Sequence, residues 1–233
     1  MGFSLRMAAG AMLAFASTAQ GQARVGVHQV TVAPRGGFIA FDKASGIDNA
    51  AALGVDATYY VVPMMGLGVS ATFSRPVTRA DEFLVAVYLG DTTFPYRAQQ
   101  PITVADVNVN ATLRMPLANR FSPYLRGGVG GYTIYMDPQV SGPNNRLQRM
   151  SVNAGGGFDF RVGKNIGITL DARDMIFMNF DRARLNPVRP QAQLTRFIED
   201  FPTPPASKKT VHNLAFQLGF SFVPAIGRPE DDR

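Results

Sequence analysis

The chain has no cysteine, no tryptophan and only two histidines, and no apolar run after its first residues approaches the roughly 18 needed for a membrane-crossing helix. The missing cysteines exclude a disulfide framework, a thiolate metal site and a lipid-anchoring cysteine behind a leader. Charge is scarce as well. Asp, Glu, Lys and Arg make up 17% of the 233 residues, against roughly 25% in an ordinary soluble domain. A helical membrane protein is excluded, so the abundant apolar residues need another arrangement. The formal net charge of +6 is mildly basic and selects no partner by itself.

The opening "MGFSLRMAAGAMLAFASTAQGQA" places Arg6 before an apolar run from Met7 to Ala16, followed by small residues around Ala19 and Ala23. This order predicts a secretory signal peptide over residues 1–23, cut after Ala23 or alternatively Ala19. The rest reads as one domain, residues 24–223, and a short tail, 224–233.

Within that domain apolar side chains recur at every second position, the period of a strand with two unlike faces. Near the end, Leu214, Phe216, Leu218, Phe220 and Phe222 alternate with Ala215, Gln217, Gly219 and Ser221. The same pattern runs through Ala51 to Val61, Met65 to Phe73, Val107 to Met115, Phe121 to Val129, Met150 to Val162 and Ile166 to Ala172. An opening segment, about His28 to Phe41, is interrupted by Pro34 and "RGG" and is expected to carry a bulge or kink. These are eight strands of about 10 to 14 residues, the length a tilted strand needs to cross a bilayer. Soluble strands are usually nearer five or six.

The connections alternate in length. Short links fall at Val62 to Met64, Pro116 to Arg120 and Gly163 to Asn165. Long ones fall at "DKASGIDN", Ser74 to Thr103, Asp137 to Gln148 and Asp181 to Lys209. In an up-and-down barrel every short turn then lies at one end and every long loop at the other. The expected fold is all-β: an eight-stranded antiparallel transmembrane β-barrel, apolar outside and small or polar inside. Tyr59, Phe73, Phe121, Tyr135, Phe158, Phe160, Phe177, Phe180, Phe220 and Phe222 lie towards strand ends, as interfacial girdles do. "EFLVAVYLGD", in the second long loop, reads as an extra strand or short helix.

The leader, the glycine-rich segments "YLRGGVGGYTIY" and "SVNAGGGFDFRV", "NIGITLDARDMIF" and the closing "NLAFQLGFSF" together resemble the small OmpA/OmpX-like outer-membrane barrels of Gram-negative-type bacteria. The resemblance implies an outer-membrane location, both termini and short turns in the periplasm, and long loops at the cell surface. It implies outer-membrane lipids, lipopolysaccharide included, and the barrel-insertion machinery as partners, for a chain acting as a monomer. The family commonly ends on a C-terminal Phe, whereas here "VPAIGRPEDDR" follows Phe222.

Few residues carry chemistry. His28 and His212 lack a carboxylate or histidine at the three- or four-residue spacing of a metal site. Neither "GGVGG" nor "GGG" ends in the lysine and hydroxyl of a phosphate loop, so these glycines read as room in a narrow lumen. No cofactor, metal, catalytic group or nucleic-acid partner is expected. The clearest constellation is the set of charges on the polar faces: Asp56, Asp106, Arg114, Arg126, Asp159, Arg161, Asp171 and Arg173. In a narrow lumen they are expected to pair, because an isolated buried charge is costly. Arg182, Arg184, Arg189, Arg196, Lys208 and Lys209 make the last loop basic.

The sequence thus points to a structural, envelope-integrity or surface-interaction role. A narrow pore for small or hydrophobic solutes is the alternative. Behind it stand a lipid A-modifying enzyme, for which the hydroxyl beside His212 is missing, and a soluble lipocalin-like binder.

Overall fold

The computed structural model describes residues 28–79, 84–89, 92–97, 99–115, 117, 120–136, 146–163, 165–185 and 208–224. The expected signal peptide and the tail beyond Pro224 lie outside the described residues.

Eight strands close into an antiparallel barrel. In chain order they are β1 (Gln29–Ala40), β2 (Ala50–Val62), β3 (Met65–Ser74), β6 (Thr103–Arg114), β7 (Phe121–Tyr135), β8 (Arg146–Arg161), β9 (Ile166–Met178) and β10 (Thr210–Phe222). Between β3 and β6, β4 (Leu84–Leu89) and β5 (Thr92–Arg97) pair as a separate two-stranded sheet. The apolar stretch "EFLVAVYLGD" therefore supplies a strand, and not one of the barrel wall. Each barrel strand pairs with its neighbours along the chain, and β1 pairs with β10 to leave no free edge. The links β2–β3, β6–β7 and β8–β9 lie at one end, called here the short-turn end. The others lie at the long-loop end.

Two details differ from expectation. β1 carries no bulge: its ladder to β2 keeps one register throughout, and its ladder to β10 lapses at Ala33 and Pro34, then resumes unchanged. Proline has no N–H to give, and one missing rung is absorbed without a shift. Secondly, β7 and β8 reach 15 and 16 residues, longer than the alternation alone indicates.

Strand tilt is visible in the register. One outward row runs Val32, Ala57, Val69, Val109, Val129, Val152, Ile176 and His212, climbing from the short-turn end of β1 to the long-loop end of β10. A barrel must stagger its strands in this way to close.

Candidate functional site

Alternation fixes what each face carries. On β10, Leu214, Phe216, Leu218, Phe220 and Phe222 are exposed on the outer wall, while Asn213, Ala215, Gln217 and Ser221 are buried inside. The other walls repeat this, with Leu53, Leu67, Val109, Val129 and Leu170 each more than half exposed. So large an apolar outer surface suits hydrocarbon and not water. At the short-turn end the outward aromatics include Tyr59, Phe158, Phe160, Phe220 and Phe222, and Phe121 stacks on Phe158 with ring centroids 5.3 Å apart. Phe73 and Tyr135 face outward at the other end.

The lumen is layered. From mid-barrel towards the short turns lies a charged layer built by six strands. Asp56 on β2 receives Arg35 from β1, Arg126 from β7 at 2.7 Å and Arg173 from β9 at 3.4 Å, all on one oxygen. Asp171 on β9 receives Arg35 at 2.7 Å and Arg173 Nε at 2.6 Å, and the Tyr124 hydroxyl donates to it at 2.8 Å. Nearer the turns, Arg114 pairs with Asp159 at 3.4 Å and lies over the Tyr60 ring, 4.1 Å from its centroid. Ser221 donates to the other Asp159 oxygen at 2.8 Å. All of these side chains are buried.

Glycine makes this packing possible. Tyr124 faces Gly157 across the β7–β8 ladder, and a Cβ there would stand 2.7 Å from the Tyr124 oxygen and 1.9 Å from the Leu170 carbonyl oxygen. Only hydrogen leaves that space open.

Six of the eight charges singled out from the sequence are thus joined in ion pairs, and two are not. Arg161 is half-buried at the short-turn mouth and makes no ion pair among the described residues. Water at the mouth supplies the screening that a carboxylate supplies deeper in. Asp106 sits one layer higher, among amides and hydroxyls, held by Asn108 and by Ser151 at 2.5 Å. Arg35, by contrast, joins the network at its centre. It follows Thr31 and Ala33 on one face of β1, an alternation hidden by Pro34 and the glycines.

Above Asp106 the lumen turns apolar. Ile39, Val104, Tyr132, Ile134, Met175, Phe177 and Val211 form a core that continues into loop residues Ile47, Phe180 and Leu185. Phe177 and Phe180 therefore do not belong to an interfacial girdle. Phe177 faces inward and stacks on Tyr132, rings 4.1 Å apart and within 9° of parallel. The inward register of Phe177 on β9, and the apolar cluster below the loops that takes in Phe180 just beyond the strand, explain the difference.

Outside the lumen, the exposed His212 ring lies 2.7 Å from Asp174 on β9, a cross-strand pair on the outer wall that sequence spacing could not reveal. Among the described residues no group of three His, Cys, Asp or Glu could hold a metal. In the loops, Lys208 approaches Asp42 at 3.7 Å and Arg184 approaches Asp181 at 4.0 Å. Arg189 and Arg196 lie outside the described residues.

Asp42 lies two residues beyond β1 and caps the 3-10 turn Lys43–Ser45, accepting from the Ala44 N–H at 2.9 Å. Partial burial works against its charged form, but the Ala44 N–H, the Lys208 ammonium and the His212 backbone N–H outweigh that. Together they hold the Asp42 carboxyl below its ordinary range.

Comparison with known proteins agrees with this architecture. Neisserial surface protein A is similar in fold, with a TM-score of 0.54 at 10% identity over 83% of this chain and 96% of that one. OprG of Pseudomonas aeruginosa aligns with a TM-score of 0.44 at 12% identity, covering 85% of this chain and 98% of that one. No curated protein matches the sequence. The outer membrane protein beta-barrel domain matches residues 2–222, and the chain belongs to that family of small bacterial outer-membrane barrels.

Proposed function

We propose that this protein is a closed structural barrel of the outer membrane that contributes to envelope integrity and surface interaction, neither conducting solutes nor catalysing a reaction. One observation carries the reading: the described lumen is filled twice over, by the ion-paired layer and by the apolar core above it. A conducting path would have to part the pairs that Asp56 and Asp171 make with arginine and also displace Phe177 and Tyr132. Separating a buried pair exposes uncompensated charge and costs several kcal/mol. The pore alternative therefore lacks a route. The soluble lipocalin-like alternative is at odds with the apolar outer wall.

In this reading the short turns face the periplasm and the long loops face the cell surface. The outer wall meets lipid hydrocarbon, and basic groups at the long-loop end, among them Lys208 and Lys209, meet lipopolysaccharide phosphates. The alternating aromatics of β10 offer the insertion machinery its signal, and the barrel acts as a monomer. The test is single-channel recording of the purified barrel in planar bilayers, together with antibiotic sensitivity of a deletion strain. Silent bilayers and raised sensitivity to hydrophobic antibiotics are expected. Reproducible conductance steps would overturn the reading.

A further inference from the structure

Beside the charged layer is a cavity of about 20 Å³ whose lining includes Arg35, Arg114, Thr31 and Thr169. A smaller space of about 10 Å³ also borders Thr31 and Arg114, and it reaches Gly163 and Asn165 in the β8–β9 turn. The two spaces mark a route from the short-turn mouth to the charged layer.

The cavity gathers donors without partners. Among the described residues, Arg35 Nε, Arg114 Nε, Thr31 Oγ1 and Thr169 Oγ1 are buried and make no hydrogen bond, although the Arg35 and Arg114 side chains are only 2% and 4% exposed. Buried donors of this kind are costly unless something accepts from them. Charge leans the same way. The cavity is lined by three guanidinium groups, Arg35, Arg114 and Arg126, against the two carboxylates Asp56 and Asp159. Asp171 and Asp106 do not line the cavity; Asp171 is engaged by Arg35, Arg173 and Tyr124, and Asp106 by Asn108 and Ser151. The carboxylates that do line it are already committed: Asp56 to three arginines, Asp159 to Arg114 and Ser221.

We propose that this cavity is a binding site for one small monovalent anion of chloride size, entering from the short-turn end and balancing the surplus guanidinium charge. The size argues for a monatomic ion. A single water needs roughly 10–15 Å³ of such space, so about 20 Å³ admits one particle slightly larger than water and excludes phosphate or a carboxylate. Neutral water could satisfy two of the donors but leaves the charge uncompensated. The site adds to the proposed envelope role and does not depend on it.

The experiment compares unfolding of the detergent-folded barrel in sodium chloride, sodium bromide and sodium gluconate at equal ionic strength. Crystals grown in bromide are examined at the bromine absorption edge. Unfolding roughly tenfold slower in chloride and bromide than in gluconate is expected when the anion stands at about ten times its dissociation constant, with an anomalous peak beside Arg35 Nε and Arg114 Nε. The double substitution Thr31→Val, Thr169→Val keeps every charge and should reduce the chloride effect. If that variant does not fold, the wild-type bromide peak still decides. Equal unfolding rates in all three salts, with no bromide in the cavity, would show that water fills it and overturn the proposal.

Discussion

Asp56 on β2 and Asp171 on β9 are bridged twice, by Arg35 and by Arg173, each of which touches both carboxylates. The chain ends of this arrangement are far apart in sequence, so the bridge ties the first third of the barrel to the last. Removing Asp56 leaves Arg35, Arg126 and Arg173 without their shared oxygen. Asp56→Ala should therefore cost about 3–5 kcal/mol, the usual loss when one partner of a buried pair is deleted. Arg161→Ala removes a half-buried charge with no ion-pair partner among the described residues and should change stability by no more than about 0.5 kcal/mol. Urea unfolding of both variants in the same lipid measures the contrast, and equal losses would contradict the layered lumen.

Leu218 lies midway along β10 on the outer wall, paired with Gly36 and Leu170. Arginine at a bilayer midplane costs about 2–4 kcal/mol and near an interface only about 0–1. Leu218→Arg should therefore destabilise the barrel by the larger amount and Tyr135→Arg, at the end of β7, by the smaller. Folding titrations into bilayers would read both. Similar costs at the two positions would mean that depth does not govern this face.

Asp42 gives the loop end a pH dependence. Its carboxyl titrates lower in the folded protein than in the unfolded chain, so the folded state favours the ionised form. That contribution is complete above the unfolded value, about 3.9, and is lost as pH falls through the folded one. Amide-exchange protection at Ala44, whose N–H bonds to Asp42, should thus be higher at neutral pH than in acid strong enough to protonate Asp42. In Asp42→Ala the difference should vanish.

What the sequence revealed follows from what a period of two can encode. It assigns faces, and so it places Leu214 to Phe222 outward and Asp56, Arg126 and Asp171 inward without any coordinates. It does not say how deep a residue lies, and depth separates Arg161 at the mouth from Asp159 in the lumen. Face, rather than depth, separates Phe177 from Phe158: Phe177 shares the inward parity of Asp171 and Arg173 on β9, and Phe158 stands on the outer wall. Cross-strand contacts are invisible for a related reason. His212 meets Asp174 only because a particular register brings them together, and Arg35 reaches Asp171 only because the barrel closes β1 against β10.

The Tyr132–Phe177 stack closes the lumen above the charged layer, and its two roles can be separated. Truncating a large buried aromatic typically costs about 3–5 kcal/mol through lost transfer energy and the cavity left behind, and Phe177→Ala should fall in that range. The charged layer beneath is untouched by the change, because its arginines and carboxylates come from positions nearer the short turns. A Phe177→Ala barrel that has folded in a bilayer should therefore remain electrically silent although it unfolds more easily. Conductance appearing in this variant alone would mean that ions already pass the paired arginines, and that the apolar core, rather than the charge network, is what closes the lumen.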